Sequence, residues 1–206
     1  MPWIALEHSP TAYRMDFALY GTLSAAMAFI LMRYSPAGMG GRLVLWALAG
    51  GSIWTLLEYV LHRFVLHGLR PFSRWHAEHH SRPSALIASP SLFSAALFAT
   101  LAALPGWLVL GAWPACALTF GLMTGYLAYG LTHHATHHPP PWLRRRSLWL
   151  LRRRRWHAMH HGAAAAGGAS KQGNFGVSTG LWDHVFGTRA VCVTKRATPR
   201  AGTGRM

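Results

Sequence analysis

Ten of the fourteen histidines fall into four short boxes: His62-x4-His67, His76-x2-His79-His80, His133-x3-His137 and His157-x2-His160-His161. Imidazole is the commonest side-chain ligand for a mid-series metal and is otherwise scarce. Two boxes share the spacing H-x-x-H-H, which sets three imidazoles at i, i+3 and i+4 along one helical face. His133 and His137 lie one turn apart and can share an ion. So can His76 with His79 or His80, and His157 with His160 or His161. Box one differs, because five residues carry an α-helix about 140° past a full turn. Either the helix frays between His62 and His67, or the two serve different metals.

Ten imidazoles are too many for one ion, since a closed structural zinc site uses four ligands. They divide into two ions with about five nitrogens each, leaving a position open for oxygen or substrate. An all-nitrogen shell leaves iron, zinc, copper and nickel as candidates. Carboxylates are nearly absent: Glu7, Asp16, Glu58, Glu78 and Asp183 are the full set. That excludes a di-iron bundle of the carboxylate type, which needs about four Glu and two His. Glu58 stands four residues before His62 on the same helical face, where it is expected to hold the His62 ring by a hydrogen bond. Glu78 faces away from its neighbouring ligands and reads as solvated or paired with arginine.

The elements that position these boxes are apolar. Hydrophobic residues make up 51% of the chain and charged residues 12%, about half the usual soluble share. Pro83 to Leu143 carries no Asp, Glu, Lys or Arg, as a bilayer demands. Four transmembrane helices are expected, at about 17–33, 43–62, 86–105 and 113–131. The last two share an apolar stretch that would reach about 70 Å as one helix, against a hydrocarbon core of ~30 Å. Pro105-Gly106 and Trp113-Pro114 are the candidate turn points. An even number of passes between boxes puts all four on one face. Arginine crowds the loops bearing the boxes, which marks that face as cytoplasmic.

Beyond Leu131, Pro139-Pro140-Pro141 breaks the helix, and Trp142–Trp156 reads as an amphipathic segment at the headgroups. Gly162–Gly173 reads as a flexible loop and 189–206 as a disordered basic tail. The fold class is therefore all-α: one membrane domain over 1–188, about four transmembrane helices, and a cytoplasmic helical cap holding a polyhistidine di-metal centre. The formal charge of +15 follows the positive-inside pattern, no nucleic-acid motif accompanies it, and no nucleic-acid partner is expected. Cys116 and Cys192 share no redox spacing and read as unpaired thiols of a reducing compartment. The N-terminus lacks the basic n-region of a cleaved signal peptide.

The stretch Trp54–His67, with Glu58, Tyr59 and both box-one histidines, resembles the first histidine box of fatty acid 2-hydroxylases. Tyr129-x3-His133-x3-His137-His138 resembles their third box and Trp156-His157-x2-His160-His161 their fourth. Asn174–Thr188, NFGVSTGLWDHVFGT, is similar to the closing segment of the wider fatty acid hydroxylase superfamily. The resemblance implies a membrane di-iron oxygenase that hydroxylates a C–H bond of a lipid acyl chain, at the 2-position of a fatty acid or sphingolipid acyl group. It implies two Fe ions held by the ten boxed histidines, with zinc able to replace them in purified or crystallised protein. It also implies O2, a lipid substrate and a separate electron donor, cytochrome b5-like or a ferredoxin. Glu58, Tyr129, His134, His138 and Asp183 are expected beside the ligands; His184 and His8 fall outside them. Gly130 departs from the acidic residue common at that place. The expected location is a bacterial inner membrane. Rival readings are a sterol or carotenoid oxidase or a desaturase of the same superfamily and, from another class, a transition-metal transporter.

Overall fold

The computed structural model describes residues 7–143, 146–165 and 172–190. Helix α1 spans Pro10–Tyr34, begun by Ser9, whose hydroxyl accepts from the Ala12 amide, and by Pro10 in the first turn. A proline there loses no helical hydrogen bond. The helix thus starts well before Phe17, and Asp16 lies inside it rather than bordering it. Helix α2 covers Gly40–Val60 and continues as a π-helical turn over Leu61–Leu66. Short α3, Phe72–Ser81, carries box two.

The third pass is composite: α4 over Ser91–Phe98, a π-helical stretch over Ala99–Ala103, and α5 over Leu104–Leu110. Neither expected proline position makes the turn. It falls at Gly111, whose φ of 85° is open to glycine and disfavoured for other residues. Pro114 instead occupies the first turn of α6, where its missing N–H is not needed, and Pro105 stands inside the continuous third pass, directly after its π-helical stretch. Helix α6, Ala112–His137, runs past Leu131 and carries box three on its last turns. Helix α7, Leu148–Ala165, carries box four; it remains helical through Gly162, where a loop was expected. Residues 166–171 of that loop and 191–206 of the basic tail lie outside the described residues. Helix α8 is Leu181–Val185.

Four helices are long and apolar enough to cross a membrane: Pro10–Tyr34, Gly40–Leu66, Ser91–Leu110 and Ala112–His137. At 1.5 Å per residue they reach about 30–40 Å. Their outer faces expose Leu45, Leu48, Leu101, Leu108 and Val109, as a hydrocarbon solvent permits. Helices α2 and α6 touch backbone to backbone. A Cβ on Gly121 would strike the Ala47 carbonyl oxygen, and one on Gly50 would lie 2.9 Å from the Leu122 nitrogen. Small residues give helices in lipid this close approach, where packing rather than water drives association. The Tyr20 hydroxyl donates to Ser94 Oγ at 2.8 Å, joining α1 to α4. The His8 amide donates to the Leu86 carbonyl, which brings the start of α1 to the loop after box two. Boxes one and three end their helices at this same end of the bundle, and α3 and α7 lie across it.

Candidate metal centre

The ten boxed histidines converge into two groups. His62, His67, His76, His80 and His160 form one; His79, His133, His137, His157 and His161 form the other. Within each, one ring nitrogen per residue lies within 4.8 Å of all the others.

Box one reaches the first group through its π-helical turn. The His67 amide donates to the His62 carbonyl at 3.2 Å, an i to i+5 bond that turns residue i+5 back toward the direction of residue i. The helix neither frays nor splits the pair, and the two ring centroids are 5.2 Å apart. The H-x-x-H-H boxes do not act as triads. On α3 the i,i+4 pair His76 and His80 joins the first group while His79 joins the second. On α7 the pair His157 and His161 joins the second while His160 joins the first. Each helix therefore gives two ligand candidates to one group and one to the other.

The distances test whether these residues fit an ion. Nε2 atoms are 3.0 Å apart for His62–His76 and His76–His80, and 3.1 Å for His67–His160. In the second group they are 3.0 Å for His79–His133 and His157–His161, and 2.9 Å for His137–His157. Nitrogens at ~2.1 Å from one ion stand about 3.0 Å apart at right angles and about 3.4 Å apart at tetrahedral angles. The edges are those expected for right angles about an ion, and five ligands on an octahedral frame would leave one corner free.

Hydrogen bonds fix which nitrogen is offered. The His62 Nδ1–H donates to the Phe175 carbonyl oxygen, and the His160 Nδ1–H donates to the Gly173 carbonyl oxygen at 2.8 Å. Both rings then present bare Nε2 lone pairs to the group. Burial, with the repulsion of His160 second, pushes His67 and His79 down to about 4. Burial and then the neighbouring His161 push His80 down to about 2, and burial and then His79 push His161 down to about 3. His76, His157 and His160 are lowered as well, burial again the largest cause. Neutral imidazoles are the form that binds a metal.

Glu58 does not touch the His62 ring. Its carboxylate accepts from the Val177 amide at 2.6 Å, the Ser178 amide at 2.8 Å and the Ser178 hydroxyl. Asp183, fully buried, accepts from the Phe175 amide at 2.8 Å and the Gly176 amide at 2.7 Å. Two carboxylates thus grip the strip 175–178, whose Phe175 carbonyl receives His62. Asn174, at a φ of 59°, links the same strip to α7 by donating from Nδ2 to the Trp156 carbonyl at 3.3 Å. Phe175, Ser178 and Asn174 were not anticipated as individual contributors; the signal was their place in the Asn174–Thr188 segment, which resembles the closing segment of fatty acid hydroxylases.

Tyr129 stacks on His133, with centroids 5.8 Å apart. His134 and His138 stack on one another, and His134 packs against Tyr13 and Phe17; neither joins a group. The exposed His184 lies 3.4 Å from Arg189, and Glu78 pairs with Arg82 at 2.7 Å. A cavity of about 170 Å³ reaches His76 of the first group and His79 and His133 of the second. It is walled by α1, α3 and α6 and by the loop around Ala88.

The sequence profile of the family described as fatty acid hydroxylase matches residues 47–188. Dihydroceramide fatty acyl 2-hydroxylase FAH2 of Arabidopsis thaliana is 33% identical over 154 residues, covering 68% of this chain and 58% of that protein. Fatty acid 2-hydroxylase of Homo sapiens is 29% identical over 162 residues, covering 68% of this chain and 38% of that protein. The chain thus spans between about two fifths and three fifths of the length of these relatives. A solved structure described as full-length scs7p with only the hydroxylase domain visible superposes with a TM-score of 0.68. The two share 23% identity, over 86% of this chain and 66% of that one, a likeness of fold.

Proposed function

Because this chain belongs to the fatty acid hydroxylase family, we propose that it is a membrane oxygenase that hydroxylates a lipid acyl chain, at the 2-position. The observation that carries this reading is the pair of abutting five-histidine groups. The stacked rings of His80 and His161, one from each group, have centroids 4.1 Å apart, and one cavity reaches both groups. The relatives' printed activity, acyl 2-hydroxylation, supports the regiochemistry.

The ten boxed histidines would hold two ions, iron in the working enzyme. Bound there, the ions supply the redox chemistry by which O2, two electrons and two protons convert C–H to C–OH and water. The chain's own residues do the rest. The carbonyls of Phe175 and Gly173 hold the protons of His62 and His160 on Nδ1, so that Nε2 stays free for metal. Tyr129 fixes the His133 ring by stacking. The cavity beside the histidines orients an acyl chain end and keeps water from it. Electrons come from a separate protein, cytochrome b5-like or a ferredoxin, docking on the face rich in arginine. That face is the cytoplasmic one by the same arginine bias. Collection of all ten histidines at one end of the bundle favours this reading over a transporter, whose ligands lie within the spans.

The deciding experiment expresses the chain in an iron-replete host and compares bound metal and hydroxylated lipids with a His160→Ala variant. Gain of 2-hydroxy acyl chains with wild type alone is the expected result. Identical lipid profiles for the two would overturn the reading.

A further inference from the structure

Contacts along α2 fix the depth of the segment 174–188. The Phe175 carbonyl meets His62, the Val177 and Ser178 amides meet Glu58, and Trp182 Nε1 donates to Thr55 Oγ1 at 3.0 Å. The path then reverses. The Phe186 ring stacks on Tyr59 with centroids 5.3 Å apart, and Thr188 Oγ1 lies 3.0 Å from the Tyr59 hydroxyl. Residues 174–188 thus descend beside α2 from His62 to Thr55 and climb back to Tyr59.

That descent enters the membrane. The third pass, Ser91–Leu110, has 20 residues, about 30 Å of helix, which just spans a hydrocarbon core. Ser91 therefore marks where the core begins on the histidine side. Phe98, at the far end of α4, lies about 10 Å below that boundary. Its ring is 6.0 Å from the ring of Trp54, the chain neighbour of Thr55. Tyr126 of α6 is 5.2 Å from the same Trp54 ring and about 16 Å short of the helix end at His137. Helix α8 is therefore set against α2 at the depth of acyl chains.

Its side chains suit that solvent. Leu181, Val185 and Phe186 are 54%, 60% and 51% exposed, and they continue the exposed Leu57 and Leu61 of α2. Asp183 turns inward and is fully buried. The exposed His184 meets Arg189 at 3.4 Å on the returning limb, and a long arginine can reach the headgroups from there. The backbone is prepared too. Irregular chain is tolerated at membrane depth only where protein satisfies its polar groups. The Asn174 amide donates to the Thr188 carbonyl, those of Phe175 and Gly176 to Asp183, and those of Val177 and Ser178 to Glu58. Two of the five carboxylates in the chain thus serve amides in a place without water.

We propose that 174–188 is a re-entrant segment, with α8 lying in the leaflet on the histidine side and lipid acyl chains covering Leu181, Val185 and Phe186. The strip that sets the His62 proton is then seated on the bilayer as well as on α2. The inference rests on the four passes and is independent of the reaction proposed above.

The test reads depth directly. Cys116 and Cys192 are replaced by serine, a nitroxide is attached at Val185→Cys, and the zinc-loaded full chain is placed in phosphatidylcholine vesicles. Power-saturation EPR compares collisions with oxygen, which concentrates in hydrocarbon, and with a nickel chelate, which stays in water. Labels at Leu48→Cys, on the exposed face of α2, and at Ser81→Cys, at the exposed end of α3, give the lipid and water references. The oxygen-to-nickel ratio at Val185 is expected to be at least about tenfold above that at Ser81 and closer to that at Leu48. A ratio matching Ser81 overturns the inference. So does weak collision with both reagents, which would mean that protein, such as a second copy, covers α8. Leu181→Cys, one turn earlier on the same face, gives the same reading if Val185→Cys fails to load zinc.

Discussion

Glu58 and Val177, 119 residues apart in the chain, meet through a 2.6 Å hydrogen bond in which the Val177 amide donates to the Glu58 carboxylate. The bond joins the end of the second membrane pass to the strip that carries the Phe175 carbonyl. Through that carbonyl it sets the proton position on His62. Glu58 is therefore a positioning residue acting through the backbone.

Glu58→Leu removes the acceptor of three hydrogen bonds and leaves the Val177 and Ser178 amides without their partner. The first group is expected to lose about 10–100-fold in metal affinity, the usual effect of losing support behind a ligand. Titration with a competing chelator would show it. The second group, which draws nothing from Glu58, is expected to keep its affinity.

The division of the H-x-x-H-H boxes predicts a crossed pattern of coupling. His79→Ala should weaken the ion held with His133 on α6, not the one held with His76 on its own helix. In metal-binding cycles, His79→Ala and His133→Ala should be strongly non-additive, because either alone already breaks the shared shell. His76→Ala and His79→Ala should lower metal content by separate amounts. Strong non-additivity of that second pair alone would contradict the assignment.

Acidification should act in one direction. An unfolded imidazole titrates near 6.5, whereas His67 and His79 are held down to about 4 in the folded chain, chiefly by burial. Between those values the unfolded chain binds protons that the folded chain refuses. The stability of metal-free protein is then flat above about pH 6.5 and falls as the pH drops from 6.5 toward 4. Metal affinity falls in the same sense, since protons compete for the nitrogens. Unfolding midpoints of chelator-treated protein at pH 7.5 and pH 5 would check this; equal midpoints would contradict it.

Gly121→Val should loosen the bundle without touching a histidine. Its side chain would be driven into the Ala47 backbone, and overpacking of this kind costs about 1–3 kcal/mol or more. A lower thermal midpoint in detergent, with a matching loss at Gly50→Val, is the expected outcome.

Much of this was legible in the sequence. The four boxes, the four apolar passes and the even pass count follow from residue type and spacing. The partition of the boxes does not. On an α-helix the residues at i+3 and i+4 point about −60° and +40° from residue i, so spacing alone leaves open which of His79 and His80 joins His76. The π-helical turn at His62 was equally hidden, since LHRFVL carries no composition that demands it. Glu58 and Asp183 stood out as acids in a chain with few, but their partners are amides of residues 175–178, and backbone atoms leave no mark in residue type. The turn at Gly111 lay between two prolines that drew the eye because proline ends helices, although here Pro114 begins one and Pro105 lies inside the third pass.

The reciprocal sharing of histidines between α3 and α7 has a mechanical meaning. A single fastener between two rods leaves them free to swivel about it; a second, set apart from the first, locks the angle. Each ion that the two groups hold would span both helices, so half-loaded protein would keep a pivot and fully loaded protein would hold α3 and α7 at one angle. The second ion would then enter a cap that the first has already drawn together.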